Sequence, residues 1–255
     1  MLESRKLTLG YEHHMVIKDL SFCIKPHTIT TIIGPNGCGK STLLKALSKN
    51  KKIASGDIFI DNQSIYRYSH KTLAKKLAIL PQSPLVPDDF LIRDLVSYGR
   101  NPYLDWMGRL KEEDYRIIDW AINETGITHL QNRKMSTMSG GERQSAWIAM
   151  ALAQQPEILL LDEPTTYLDI AHQHEVLELI KRINGEMGIT VVMVLHDINQ
   201  ASRYSDRIIA MKEGYKVIEG SPKEVVTKEI LKEIFGIDAN IYEEVSYGYP
   251  YFIVK

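Results

Sequence analysis

Glycines, a lysine and a hydroxyl recur in Gly34-Pro35-Asn36-Gly37-Cys38-Gly39-Lys40-Ser41 at the spacing of a phosphate-binding loop. Glycine lets a chain wrap tightly enough for successive backbone N–H groups to point at phosphate oxygens. A helix entering behind the loop aims its positive dipole end at the same anion. In this pattern Lys40 reaches the β- and γ-phosphates, Ser41 holds Mg2+, and Thr42 helps cradle the α-phosphate. Cys38, inside the loop, reads as a small filler rather than a redox switch. A second acidic position lies far along the chain, where Ile158-Leu-Leu-Leu-Asp162-Glu163 puts two carboxylates at the end of an apolar run. Asp162 is suited to positioning Mg2+ and Glu163 to polarising an attacking water as general base.

Both sites need strands behind them. Thr28 to Ile33 reads as a buried strand feeding the loop, and Ser41 to Lys49 as the helix that follows. Ile158 to Leu161 and Thr190 to Leu195 are near-continuous apolar runs, the pattern of parallel strands covered on both faces. The helical stretch Ile170 to Met187 between them makes a βαβ crossover. Ligands bind at the carboxyl edge of such sheets, which is where Asp162 and Glu163 fall. The early segments Lys6–Leu9, Leu20–Ile24 and Asp57–Ile60 read as shorter strands in an antiparallel layer. From about Ser83 to Gln154 helical signals dominate, at Leu91–Tyr98, Glu112–Glu124 and Gly140–Ala153. Past Gly220 come short helices and a hairpin turning near Tyr247 to Pro250.

Composition narrows the function. The chain has 255 residues, 44% hydrophobic and 25% charged, with a formal net charge of −1. That balance gives no strong positive field for nucleic acid. No apolar run approaches the roughly 18 residues that span a bilayer. The N-terminus has no apolar stretch behind its charges and does not read as a secretory signal. Cys23 and Cys38 are the two cysteines, too few for a disulfide framework. A cytoplasmic protein is expected, with any membrane role carried by a partner.

Met138-Ser139-Gly140-Gly141-Glu142-Arg143-Gln144 resembles the signature sequence of ABC-type ATPases, with Met138 where leucine is usual. Locally it is also a helix start, with Ser139 as cap and Glu142 completing a capping box. The two readings agree, because a capped helix start is a good anion site. In order around it, Tyr11 resembles the aromatic residue that stacks on adenine, and Gln82 the glutamine joining core to helical lobe. Leu168-Asp169 resembles the D-loop, and His196 the switch histidine. The chain is therefore similar to an ABC transporter ATP-binding subunit from about Lys6 to Pro222.

That resemblance implies an α/β fold with a P-loop NTPase core, mostly parallel sheet with an antiparallel β layer, and an inserted helical subdomain. Its boundaries would be core 1–82 and 155–220, helical subdomain 83–154, and C-terminal helices and hairpin 221–255. It implies ATP and Mg2+ as cofactors, with Ser41, Gln82 and Asp162 at the metal and Glu163, His196 and Gln82 in catalysis. Tyr11, Gly34 through Thr42 and Asp169 would contact nucleotide. Ser139, Gly140, Gly141 and Glu142 would complete the ATP site of an opposite, identical subunit, so that a monomer binds ATP but hydrolyses it poorly. Its partners would be integral-membrane permease subunits and, indirectly, an extracytoplasmic substrate-binding protein. It would sit at the cytoplasmic face of the membrane and bind no nucleic acid.

Three stretches resemble, more finely, the ATPases of bacterial iron–siderophore importers. These are Val96 to Tyr103, Ala146 to Gln154 and Pro164 to Gln173, with Ser145 departing from the usual arginine. The same role in a haem or cobalamin importer is the near alternative. A soluble ABC-type ATPase acting on DNA or ribosomes would be expected to carry coiled-coil insertions or basic tails, and this chain has neither. A P-loop kinase would leave Ser139 to Gln144 without a use. Within the lobe, Gly99 to Tyr103 are expected near the surface facing the permease. His172 and His174 are two apart on a helix and do not share a face, and His13-His14 reads as a turn, so the iron is not expected to bind this chain.

Overall fold

The computed structural model describes residues 1–11, 14–82, 87 and 89–255. His13 and the start of the helical stretch at Ser83 lie outside these residues. The described chain divides into two compact units, one of residues 1–67 and 184–255 and one of residues 68–183.

The first unit opens with β1 (Leu2–Tyr11) and β2 (His14–Ile24), followed by β3 (Ile29–Ile33), α1 (Lys40–Leu47), β4 (Ser55–Ile60) and β5 (Gln63–Ser64). β1 pairs antiparallel with both β2 and β4, with Leu2 facing Ile24 on one side and Ile60 on the other. These strands are longer than their alternation suggests, because the register shifts inside the β1–β2 ladder. Lys6 and Asp19 adopt left-handed backbone there, at φ 47° and 49°. Their N–H groups bond instead to the hydroxyls of Ser21 and Thr8, at 2.8 and 3.1 Å. Each bulge breaks the period-2 pattern on which strand recognition depends. His14, expected in a turn, begins β2 and pairs with Tyr11.

The second unit holds α2 (His70–Lys76), β6 (Leu77–Leu80), α3 (Ile92–Ser97), α4 (Glu112–Glu124), α5 (Gly140–Ala153), β7 (Ile158–Asp162) and α6 (Ile170–Met187), whose last turn belongs to the first unit. β6 and β7 run parallel, from Leu77 beside Ile158 to Leu80 beside Leu161. α3, α4 and α5 pack on one another. After α3 the chain continues as a 3-10 helix over Tyr98–Tyr103, tightened where Pro102 supplies no backbone donor.

Two residues expected at the lobe surface, Gly99 and Arg100, are buried. A Cβ on Gly99 would stand 2.2 Å from the Met150 carbonyl, so only glycine allows this approach to α5. Arg100 donates to the Asp114 carboxylate at 2.8 Å and to the Ala153 carbonyl at 2.8 Å. Its side chain and that of Asp114 are 4% and 8% exposed.

The chain then returns to the first unit with β8 (Thr190–Val194), α7 (Ile198–Tyr204), β9 (Arg207–Lys212), β10 (Tyr215–Gly220), α8 (Pro222–Val225), α9 (Lys228–Phe235), β11 (Ala239–Glu243) and β12 (Pro250–Val254). β3 lies between β8 and β9, parallel to both, and every residue of β3 and β8 is buried. Their continuous apolar character follows from cover on both faces. The tail closes as an antiparallel β11–β12 hairpin. Among the described residues, no helix is long and apolar enough to cross a membrane.

The Arg100–Asp114 pair yields a stability expectation. Asp114→Ala leaves a guanidinium buried without its counter-charge and should destabilise the protein by about 3–5 kcal/mol. Urea denaturation, read as a lower midpoint at an unchanged slope, measures it.

Candidate functional site

The phosphate loop bridges β3 and α1. Gly34 is where glycine is required by close approach: a Cβ there would lie 2.3 Å from the Met211 carbonyl and 2.7 Å from the Cys38 sulfur. Gly39, which caps α1, sits at φ 106°, a conformation that penalises any other residue. Pro35 is half-buried, and Asn36 and Gly37 form the exposed crest. Lys40 is only 5% exposed, and its ammonium donates to the carbonyls of Gly34 at 2.8 Å and Pro35 at 3.1 Å. Ser41 and Thr42 follow in the first turn, half-buried.

The start of α1 has no side-chain cap and no acidic residue in its first turn. Its dipole end is thus left for an external anion, and the loop fits a phosphate chain. Burial pushes the Cys38 thiol up in pKa, against the opposing charge of Lys40, so it remains a protonated, inert filler.

Tyr11, at the end of β1, is 47% exposed, and the Lys51 ammonium lies 3.4 Å from its ring centroid. That cation covers one face of the ring expected to stack on adenine. His196 is exposed between β8 and α7, immediately before Asp197, which caps α7 by accepting the Gln200 N–H at 3.0 Å.

The second unit holds the carboxylates. Asp162 ends β7 and is 5% exposed. Glu163 follows with left-handed backbone at φ 54°. Gln82 donates its amide N–H to Glu163 Oε2, so two residues 81 apart in sequence meet at the strand end. The Thr166 hydroxyl donates to the same oxygen at 3.0 Å.

The signature segment begins α5. Ser139 Oγ accepts the Glu142 N–H at 3.3 Å, and Glu142 Oε2 accepts the Ser139 N–H at 2.8 Å, the reciprocal box that the spacing suggests. The Ser139 backbone N–H on the carboxylate, and after it the Ser139 side chain, hold the Glu142 carboxyl below its ordinary pKa. Met138 is buried, as an apolar residue there should be. Arg143 ties the preceding turn down, donating to the carbonyls of Met135 and Ser136 at 3.1 Å each.

A Cβ on Gly140 would meet Leu168, and one on Gly141 would stand 2.3 Å from the His172 ring. His172 is itself held by Asp169. The carboxylate accepts the His172 backbone N–H at 2.9 Å, and both its oxygens lie 2.9 Å from Nδ1. The hydrogen bond and the charge of Asp169, with the charges of Glu175 and Glu142, raise the imidazole pKa; Asp169 is lowered in turn, the His172 N–H contributing most. His174 lies 3.8 Å from Glu178.

Two residues of this framework escape a reading by motif: Thr166 and His172. The first signal was within reach, because a hydroxyl three residues past Glu163, with proline between, is turn chemistry. The pairing of His172 with Gly141 is a tertiary contact between helices and has no local signature.

The family profile described as ABC transporter matches residues 17–166. The chain belongs to the ABC transporter family. This cassette is 49% identical to the iron(3+)-hydroxamate import ATP-binding protein of Bacillus subtilis (strain 168), over 98% of the chain and 93% of that protein. It is 45% identical to the ferric enterobactin transport ATP-binding protein of Escherichia coli (strain K12), over 98% of the chain and 92% of the relative. Among solved structures it is similar to an inward-facing ABC transporter of proposed metal-chelate type, with TM-score 0.87 at 27% identity, covering 100% of this chain and 96% of that one. It is also similar to a dimeric bacterial ABC transporter cassette, with TM-score 0.75 at 29% identity, covering 87% of this chain and 98% of that one. The cassette is thus a nucleotide-binding ATPase of P-loop type, in the α/β fold class read from its sequence.

The capping box at α5 carries a pH signature. A carboxylate with a depressed folded pKa contributes stability that is present above its unfolded pKa and lost as pH falls through the lower folded value. Glu142→Ala should therefore reduce the unfolding free energy at neutral pH by about 1 kcal/mol. The gap between variant and wild type should close on acidification below the ordinary carboxylate range, as urea titrations at a series of pH values would record.

Proposed function

We propose that this chain is the ATP-hydrolysing subunit of an ABC importer that drives uptake of a ferric siderophore across the cytoplasmic membrane. The observation that carries the reading is the extent of its likeness to the two iron-import ATP-binding proteins. At 98% of the chain, that likeness takes in the helical stretch and the tail as well as the nucleotide loops.

Roles follow from the chemistry of each residue. Tyr11 stacks on adenine. The N–H groups from Gly34 to Gly39 and the start of α1 hold the phosphates, Lys40 turns its ammonium from the loop carbonyls to the β- and γ-phosphates, and Thr42 steadies the α-phosphate. Ser41, Gln82 and Asp162 are the oxygen donors for Mg2+, a hard cation, which would neutralise charge on the phosphates. Glu163 takes a proton from the attacking water as its oxygen bonds to the γ-phosphorus and the bridging bond to ADP breaks. His196 orients the γ-phosphate.

Ser139, Gly140, Gly141 and Glu142 act on the nucleotide of a second, identical copy, and Asp169 contacts nucleotide beside them, so ATP joins the two chains and its hydrolysis releases them. The copies dock on integral-membrane permease subunits, which in turn receive cargo from an extracytoplasmic binding protein. The cassette is then peripheral, at the cytoplasmic face. The helical lobe, described from residue 89 to residue 154, takes the permease contact, with Gln82 at its hinge.

Glu163→Gln should keep ATP affinity, lose at least about 100-fold in turnover, and accumulate as an ATP-bound dimer in size-exclusion chromatography. Near-normal hydrolysis would remove Glu163 from its role. For the cargo, a strain lacking this chain should fail to take up labelled ferric hydroxamate or ferric catecholate siderophore. Loss of haem or cobalamin uptake alone would overturn the iron assignment.

A further inference from the structure

We propose that Thr166 is a positioning residue for ATP hydrolysis, its hydroxyl holding the Glu163 carboxylate in the orientation from which it takes the proton of water. The inference rests on the reading of Glu163 as general base.

Glu163, Pro164, Thr165 and Thr166 form a tight turn closed by the Thr166 N–H on the Glu163 carbonyl at 3.2 Å. Proline in its second position supplies the fixed φ that such turns favour. The turn brings the closing residue back over the first, and Thr166 Oγ1 reaches Glu163 Oε2 at 3.0 Å. Non-glycine residues in left-handed conformation bracket the turn, Glu163 at φ 54° and Tyr167 at φ 65°. Strained backbone of this kind persists only where the surroundings impose it, and it gathers at working sites.

Two donors converge on Oε2, and they differ in how they are tethered. Gln82 arrives from the end of a different strand, 81 residues away, and is the donor assigned above to Mg2+. Thr166 is fixed to Glu163 through three peptide units and a backbone hydrogen bond. Its contact survives any rearrangement that draws Gln82 to the metal. A carboxylate on three rotatable side-chain bonds, with this local anchor, is thereby kept aimed, and small misplacements of a reacting group cost large factors in rate.

The experiment compares full-length chains carrying Thr166→Val, Thr166→Ser and Glu163→Gln, alone and combined. Valine keeps shape and β-branching but removes the donor, whereas serine keeps the donor. Expected are a kcat about tenfold lower for valine, with KM for ATP and nucleotide affinity unchanged, and near wild-type kcat for serine. The residual single-turnover rate of Glu163→Gln should fall no further when Thr166→Val is added, because both changes act on one group. Should valine not be tolerated in the turn, the serine and alanine variants make the same comparison.

A normal kcat for Thr166→Val alongside a dead Glu163→Gln overturns the positioning role. So does failure of serine to restore the rate, or a further multiplicative loss in the double variant. Retained turnover in Glu163→Gln instead overturns the general-base reading beneath it.

Discussion

An ammonium taken out of water must find oxygen, and in this protein Lys40 finds it in the loop that it serves. Its Nζ rests on the carbonyls of Gly34 and Pro35 while the side chain is 5% exposed. The loop's carbonyls of Gly34 and Pro35 receive the cation, and the α1 dipole is left without a competing cap. Much of the first unit serves that arrangement. β3 is buried along its length between β8 and β9, which fixes where the loop begins. Gly34 is pressed against the β9 carbonyl of Met211, which fixes how tightly it turns.

The two helix starts that the proposed chemistry directs at phosphate solve opposite problems. α1 keeps its end open, with neither acid nor side-chain cap. α5 is closed on itself by Ser139 and Glu142, so its first turn is rigid before any ligand arrives. An open end suits a permanent cradle, since uncompensated donors gain most from an anion. A self-capped end suits a surface that must stay ordered while facing solvent and meet its ligand only part of the time. Each architecture follows from one residue choice, glycine at 39 and serine at 139.

What could be read without coordinates divides along a physical line. Elements built from uninterrupted patterns were legible: α4, α5 and α6 run over the segments their periodicity marks, and β3, β7 and β8 within a residue of theirs. The phosphate loop and the Asp162–Glu163 strand end were legible because their chemistry demands fixed spacing in one stretch of chain. β1 and β2 were read short because bulges at Lys6 and Asp19 break their alternation. Gly99 and Arg100 were placed at the surface because nothing local announces that one closes on Met150 and the other on Asp114. Thr166 and His172 were missed for the same reason, since their partners are set by a turn and by helix packing rather than by a motif.

One close approach has a mechanical corollary. With no room for a methyl group between Gly141 and the His172 ring, the first turn of α5 abuts the first turn of α6 directly. His172 is in turn pinned to Asp169, the residue just before α6. Two helix beginnings are therefore meshed like adjacent teeth, and neither can roll about its own axis without displacing the other. A subunit built this way offers its neighbour one stiff ridge instead of two independent loops, so whatever nudges the ridge at Asp169 is felt at Gly141 without any change in the stretch of chain between them.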